Sequence, residues 1–293
     1  MRQENFDFLK TQVMITGFGE GLENLLKNRM EKGEDEFTLN HKLEYGNDKL
    51  DMTLYFSKSQ KMDRYYFNKY DLAIKKGVDN SEMKQSFLVS PKHTTFTVKE
   101  AYNLMNGRAV NKKMAALQKN EDDNGPRLTP TGNRYSAWVE LDFNDADKYG
   151  NFKQKIYSGK DKLDVAKALE GQPISELQNA DTTKWLIDSL HKGNRREVTF
   201  IEDGKERKAF LQADPKNTAI RQFDADGQEL QPLMAAKAKS EKQSDTEQTA
   251  VQKNGQRQDA DTNQAEKQTK QTGQKEDKTE DEKKSRRRSA RIS

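Results

Sequence analysis

The last fifth of the chain limits what the rest must do. From Ala235 to Ser293 there is no Phe, Trp or Tyr, and Val251 and Ile292 are the only large aliphatic residues. A run such as Gln264-Ala265-Glu266-Lys267-Gln268-Thr269 cannot recover by burial the roughly 1–2 kcal/mol that ordering each backbone residue costs. The expectation is a disordered tail over 233–293. Any core must come from the residues before it. The whole chain is 34% charged and only 32% hydrophobic, and this segment accounts for the shortfall.

Charge follows the same division. The 59 residues from Ala235 hold 15 Lys and Arg against 11 Asp and Glu, so the preceding 234 residues carry 37 of each sign. The formal net charge of +4 therefore belongs to the tail. It is concentrated at the end, where Lys283, Lys284, Arg286, Arg287, Arg288 and Arg291 follow the mostly acidic Glu276–Glu282. Six closely spaced cations can each displace a condensed counterion from DNA or RNA, giving salt-sensitive, sequence-independent affinity without any fold. No aromatic residue is interleaved with them, so base stacking by the tail is not expected.

Before the tail, hydrophobic periodicity changes several times. Phe6, Leu9 and Val13, then Leu22, Leu25, Leu26 and Met30, keep helical spacing on either side of Gly17-Phe18-Gly19-Glu20-Gly21. Phe37, Leu39, Leu43 and Tyr45 alternate, with His41 in phase, and Leu50, Met52, Leu54 and Phe56 return after a Gly46-Asn47-Asp48 turn. Further strands are predicted at Arg64–Tyr70 and Ser86–Val89. Thr97-Val98-Lys99-Glu100 is a capping box opening a helix that Gly107 ends. Lys119–Arg134, with Pro126 and Pro130, is predicted as a loop. Tyr135, Ala137, Val139, Leu141 and Phe143 then form the strongest strand, with Trp138 on its other face.

Short helices follow at Leu163–Leu169 and after Asp181-Thr182-Thr183, the latter running through Trp185, Leu186, Ile187 and Leu190 and stopping at Gly193. Two Asp-Gly pairs, Asp203-Gly204 and Asp226-Gly227, bound a closing meander. No βαβ alternation is present. The fold class is α+β, with antiparallel sheets and helices packed on one face. The predicted organisation is 1–92, helices with hairpins; 93–232, a second α+β region; and 233–293, the tail.

Specific chemistries find little support. Without Cys, disulfides, thiolate nucleophiles and Cys-ligated metals are excluded. His41, His93 and His191 are too far apart for a local ligand motif, and no Gly-x-Ser-x-Gly elbow occurs. The glycines at Gly17, Gly19 and Gly21 follow a helix rather than a strand and include Glu20, which argues against a phosphate loop. Asp142, Asp145 and Asp147 beside Lys148 are the least poor acidic cluster, read as a solvated turn. No cofactor and no metal are implied. No apolar run reaches the ~20 residues that cross a bilayer, and Met1–Asn5 has no apolar leader, so the expectation is a cytoplasmic protein without a membrane partner. Arg108, directly after a helix end, could meet phosphate or simply complement the helix dipole.

The stretch Thr97-Val98-Lys99-Glu100-Ala101-Tyr102-Asn103-Leu104-Met105-Asn106-Gly107-Arg108-Ala109-Val110, with Tyr135–Phe143, Pro173–Leu177, Ser189-Leu190-His191-Lys192-Gly193-Asn194 and Ala213–Lys216, resembles an uncharacterised family. That family is carried on mobile elements of Bacteroides-type bacteria and is classed only as a domain of unknown function. The resemblance implies conjugative or mobilisable DNA as context and assigns no functional residue. The functional expectation is a non-enzymatic accessory protein whose basic end contacts nucleic acid. The alternatives are a protein–protein interaction module with a solubilising tail, or an enzyme whose site assembles from distant acidic and basic residues.

Overall fold

The alternating pattern after residue 36 becomes a four-stranded antiparallel sheet in the computed structural model. Strands β1 (Glu36–Tyr45), β2 (Asp48–Lys58), β3 (Tyr65–Lys75) and β4 (Glu82–Leu88) lie in that order. Phe37 faces Phe56, Leu39 faces Leu54 and Leu43 faces Leu50, so one face is apolar along its length. Helices α1 (Gln3–Val13) and α2 (Glu23–Lys32) contribute Phe6, Leu9, Val13, Leu26 and Met30 to the core with that sheet. Leu25, expected in the α2 stripe, is instead exposed. Asn5 docks α1 by mimicking a strand: its amide accepts from the Tyr65 N–H at 2.7 Å and donates to the Tyr65 carbonyl at 3.0 Å.

The structure describes residues 2–79, 81–89, 94–122, 125–160 and 162–234. They belong to one compact unit. Both the expected tail disorder and the basic terminus fall outside the described residues.

Helix α3 (Val98–Met105) begins at the predicted capping box, with Thr97 Oγ1 accepting from the Glu100 N–H and Glu100 Oε2 accepting from the Thr97 N–H. Gly107, at φ +68°, ends it. Phe87 and Val89 share the first core with Phe96, Val98 and Leu104, and Tyr70 Oη donates to the Phe96 carbonyl at 2.8 Å.

Within the predicted loop Lys119–Arg134, the described residues on either side of 123–124 belong to strands. They pair in a long hairpin of β5 (Val110–Asp122) and β6 (Gly125–Ala146), with β7 (Phe152–Tyr157) on the other side of β6. The polar composition concealed this because backbone pairing, propagated outward from the apolar Val110–Val139 end, satisfies the ladder without apolar side chains. Pro130 sits opposite Leu117, at an irregularity in the register, a position that suits a residue lacking an N–H.

The described body is α+β, as expected, and β6 is its shared wall. Val139 and Leu141 enter the first core, whereas Trp138, wholly buried at 0% exposure, enters a second. The second core lies among α4 (Val165–Leu169), α5 (Ala180–His191) and the antiparallel meander of β8 (Arg196–Glu202), β9 (Lys205–Asp214), β10 (Ala219–Phe223) and β11 (Glu229–Met234). Tyr135 and Phe143, on the same face of β6 as the buried Val139 and Leu141, are exposed. The core ends before them, and Phe143 packs edge-on against Phe152. Helix α5 is capped by Asn179, whose Oδ1 accepts from the N–H groups of Asp181 and Thr182, rather than by Asp181–Thr183.

Trp185, on α5, is 51% exposed. The two tryptophans should therefore differ sharply. Trp138→Ala removes a buried indole and its 3.0 Å bond to the Leu163 carbonyl, and should destabilise the protein by about 3–5 kcal/mol in urea unfolding. Trp185→Ala should cost no more than about 1 kcal/mol in the same experiment.

Candidate functional site

Two helices end in the same way. At the end of α3 the order is Gly107-Arg108, and at the end of α5 it is Gly193-Asn194-Arg195-Arg196. Each glycine takes a positive φ, +68° and +76°. Arginines placed just past a helix end meet the partial negative charge of its last carbonyls. Gly193 is also required sterically: a Cβ there would lie 2.8 Å from the Ala109 carbonyl oxygen and 3.1 Å from Asn103 Cβ.

Asn103 joins the two helix ends. It is 0% exposed, and its Nδ2 donates to the Lys192 carbonyl at 2.6 Å and to Asn194 Oδ1 at 3.0 Å. Its Oδ1 accepts from Arg108 Nη2 at 2.6 Å. Asn194 continues the chain by donating to Ser189 Oγ at 2.9 Å, which also accepts from Arg196 Nε. A single polar network thus runs from Arg108 through three neutral side chains to Arg196.

The network borders a cleft of about 880 Å³ between α3, the β1–β2 turn and the α5–β8 turn. Lys99, Arg108, Lys192, Arg195 and Arg196 line it, facing two carboxylates, Glu44 and Glu100. Glu100 is already engaged by Lys112 at 2.8 Å and by Thr97. Among the described residues, no carboxylate oxygen lies within 4.0 Å of any of the five cations. Elsewhere cations of this protein find acids, as in Arg221 with Glu229 and Lys208 with Glu197.

Neutral partners hold four of the cleft cations instead. The Lys99 ammonium lies 4.3 Å from the Tyr45 ring centre and 4.8 Å from that of Tyr102. Arg108 lies 5.5 Å from the Tyr102 ring centre. Arg195 stacks on Phe223 at 3.9 Å and donates to Gln212 Oε1. Arg196 covers Trp185 at 4.3 Å. Ring faces and amides fix the position of a cation while leaving its charge uncompensated.

The electrostatics agree. Burial against the rings, then the positive charges of Arg108 and Arg196, lower the Lys99 pKa below that of an ordinary lysine. The Lys99 side chain as a whole is exposed, so solvent screens part of this effect. Burial likewise lowers the pKa of Arg108, and burial with the nearby Arg221 lowers that of Arg195. Arg108 Nε is buried without an acceptor. Tyr102 stays neutral: burial, and its hydrogen bond to Asp48 at 2.9 Å, raise its pKa. Such a cleft is equipped to bind an anion through several contacts at once.

Of the residues expected to contact nucleic acid, Arg108 lies in this cleft. Lys283, Lys284, Arg286, Arg287, Arg288 and Arg291 lie outside the described residues. Lys99, Lys192, Arg195 and Arg196 were not singled out from the sequence, although the Arg195–Arg196 pair repeats the Gly107-Arg108 arrangement. Gly17 also lines the cleft, as a kink after α1 at φ +101°. The acidic cluster is separately engaged: Asp142 with Lys155, Asp145 with Lys153, and Asp147 with the N–H groups of Tyr149 and Asn151. Among the described residues no group of three or more His, Asp and Glu is placed to hold a metal. His41 packs edge-on to Phe18 and His191 to Trp138; burial lowers both pKa values. His93 is outside the described residues.

Compared with family models, curated proteins and solved structures, the chain matches none.

Asn103→Ala should break the junction. Leaving its buried partners unsatisfied should cost about 1–3 kcal/mol in urea unfolding. Gly193→Ala, strained by its φ and by the Ala109 carbonyl, should destabilise by at least about 1 kcal/mol in the same assay.

Proposed function

We propose that this protein is a non-enzymatic, nucleic-acid-binding accessory protein, in which the α3–α5 cleft grips the phosphate backbone and the basic terminus adds a second contact. The observation that carries the reading is a cleft lined by five cations without a carboxylate partner, four of them, Lys99, Arg108, Arg195 and Arg196, held by rings and neutral side chains. Arginines that are fixed in position, yet still repelling one another, are arranged for a polyanion. The resemblance to mobile-element proteins suggests conjugative or mobilisable DNA as the context.

The test is binding of a fluorescent oligonucleotide to the full chain at several salt concentrations. Affinity should fall with salt, with a log–log slope of about 0.7–0.9 per phosphate contact. Lys192→Gln and Arg195→Gln should each lower that slope by about one contact. Replacing Lys283, Lys284, Arg286, Arg287, Arg288 and Arg291 by Gln should lower it further. A slope unchanged by the cleft substitutions removes the cleft from the account.

The lowered Lys99 pKa gives a pH dependence. Between that value and 10.5 the folded protein binds fewer protons at Lys99 than the unfolded chain, so its contribution to stability rises with pH through this window. Binding behaves oppositely, because deprotonation removes a contact. Affinity should therefore fall on approach to pH 10.5, and less steeply in Lys99→Arg, which keeps its charge. Binding isotherms of both proteins across that range provide the check.

A protein partner is the second reading. It is favoured by a separate hollow of about 640 Å³, whose lining includes the apolar Leu169, Pro173, Ile174, Leu177, Ile187 and Ile201, a surface suited to apolar side chains of a bound chain.

A further inference from the structure

Trp185 has no part in either core. It sits on α5 with about half of its surface in water, one face covered by the Arg196 guanidinium at 4.3 Å. Arg196 belongs to the cleft and is anchored to Ser189, and through Asn194 and Asn103 to Arg108. An exposed indole is thus coupled to the rim of a cationic cleft by a cation that borders both. A ligand that uses cleft and indole together needs negative charge at regular intervals and a flat π face beside it.

We propose that Trp185 is a stacking platform for an unpaired base, and that the ligand of the cleft is single-stranded nucleic acid. The inference rests on the nucleic-acid reading above and narrows it. In a duplex the base faces are covered by their neighbours, so an indole gains nothing from them. In a single strand the phosphates lie along Arg196, Lys192 and Arg108 while one base stacks on Trp185, with Arg196 held between sugar–phosphate chain and indole. Lys99 stays on Tyr45 and Tyr102, rings that pack edge-to-face on each other at 4.9 Å and supply charge positioning rather than stacking.

The chain contains two tryptophans, and Trp138 is wholly buried with its indole N–H on the Leu163 carbonyl. Fluorescence quenching by a ligand at the cleft therefore reports on Trp185. The experiment titrates the full chain with an oligothymidylate, an abasic strand of equal length, inorganic polyphosphate and a duplex. Emission and anisotropy are both followed for the labelled strands.

The oligothymidylate should quench emission at the same midpoint as its anisotropy change and bind more tightly than the abasic strand and the duplex. Trp185→Ala should weaken oligothymidylate binding by about 5- to 150-fold, the range for losing one stacked base, and weaken polyphosphate binding far less, because Arg196 keeps its bond to Ser189. Trp185→Phe should keep most of the affinity. An oligouridylate arm separates RNA from DNA as the source of the strand, and tighter binding of either supports the proposal.

Equal binding of thymidylate and abasic strands without quenching, undiminished binding by Trp185→Ala, or a preference for duplex overturns the stacking inference. The phosphate-binding cleft then stands on its salt dependence. If no strand binds at all, both readings fall.

Discussion

One buried amide holds the candidate site together. Asn103 spends both its donors and its acceptor within the protein, on the Lys192 carbonyl, Asn194 and Arg108. Those partners lie up to 91 residues away in sequence, so a side chain of α3 determines where the turn after α5 can sit. A buried amide with every group satisfied is specific in a way that apolar packing is not, because a small displacement leaves several donors and acceptors unpaired at once. Gly193 makes the close approach sterically feasible, since no other residue fits against the Ala109 carbonyl. The cleft is a consequence of this junction.

The second consequence is energetic. Burial disfavours the charged forms of Lys99, Arg108 and Arg195, and repulsion by neighbouring arginines adds to it. A protein selected only for stability would place carboxylates there, as this one does around Arg221 and Lys208. Tyr45, Tyr102, Trp185, Phe223, Asn103 and Gln212 are used instead. They position the cations without cancelling them, so stability is sacrificed locally for a charge that remains available. The terminal Lys283–Arg291 cluster differs in kind, because its cations need no fold to meet phosphate.

Much of the fold was legible. Alternation at Phe37–Tyr45 and Leu50–Phe56, the Thr97–Glu100 capping box, and the two Asp-Gly turns each produced the element their local chemistry implies. Failures occurred where tertiary context overrode local signals. The polar Lys119–Asp122 and Gly125–Leu128 pair as a ribbon because their register is inherited from Val110 and Val139. Leu25 and Trp185 keep helical spacing yet face water, because periodicity defines a stripe without saying how wide the neighbouring core is. The site was legible only at Arg108. Helix-end arginines are visible in sequence, but their convergence depends on a hydrogen-bonded junction between segments some 90 residues apart, which no local pattern encodes.

The central claim is that the residues joined by Asn103 form the binding surface. A titration of the isotopically labelled full chain with an oligonucleotide, followed by amide and arginine Nε–H resonances, tests it most directly. The account predicts shifts at Asn103–Arg108 and Ser189–Arg196, with the Arg108 and Arg196 side-chain signals moving together and Arg29, paired with Glu34, unmoved. Shifts confined to Ala235–Ser293, with the cleft silent at saturation, would contradict it.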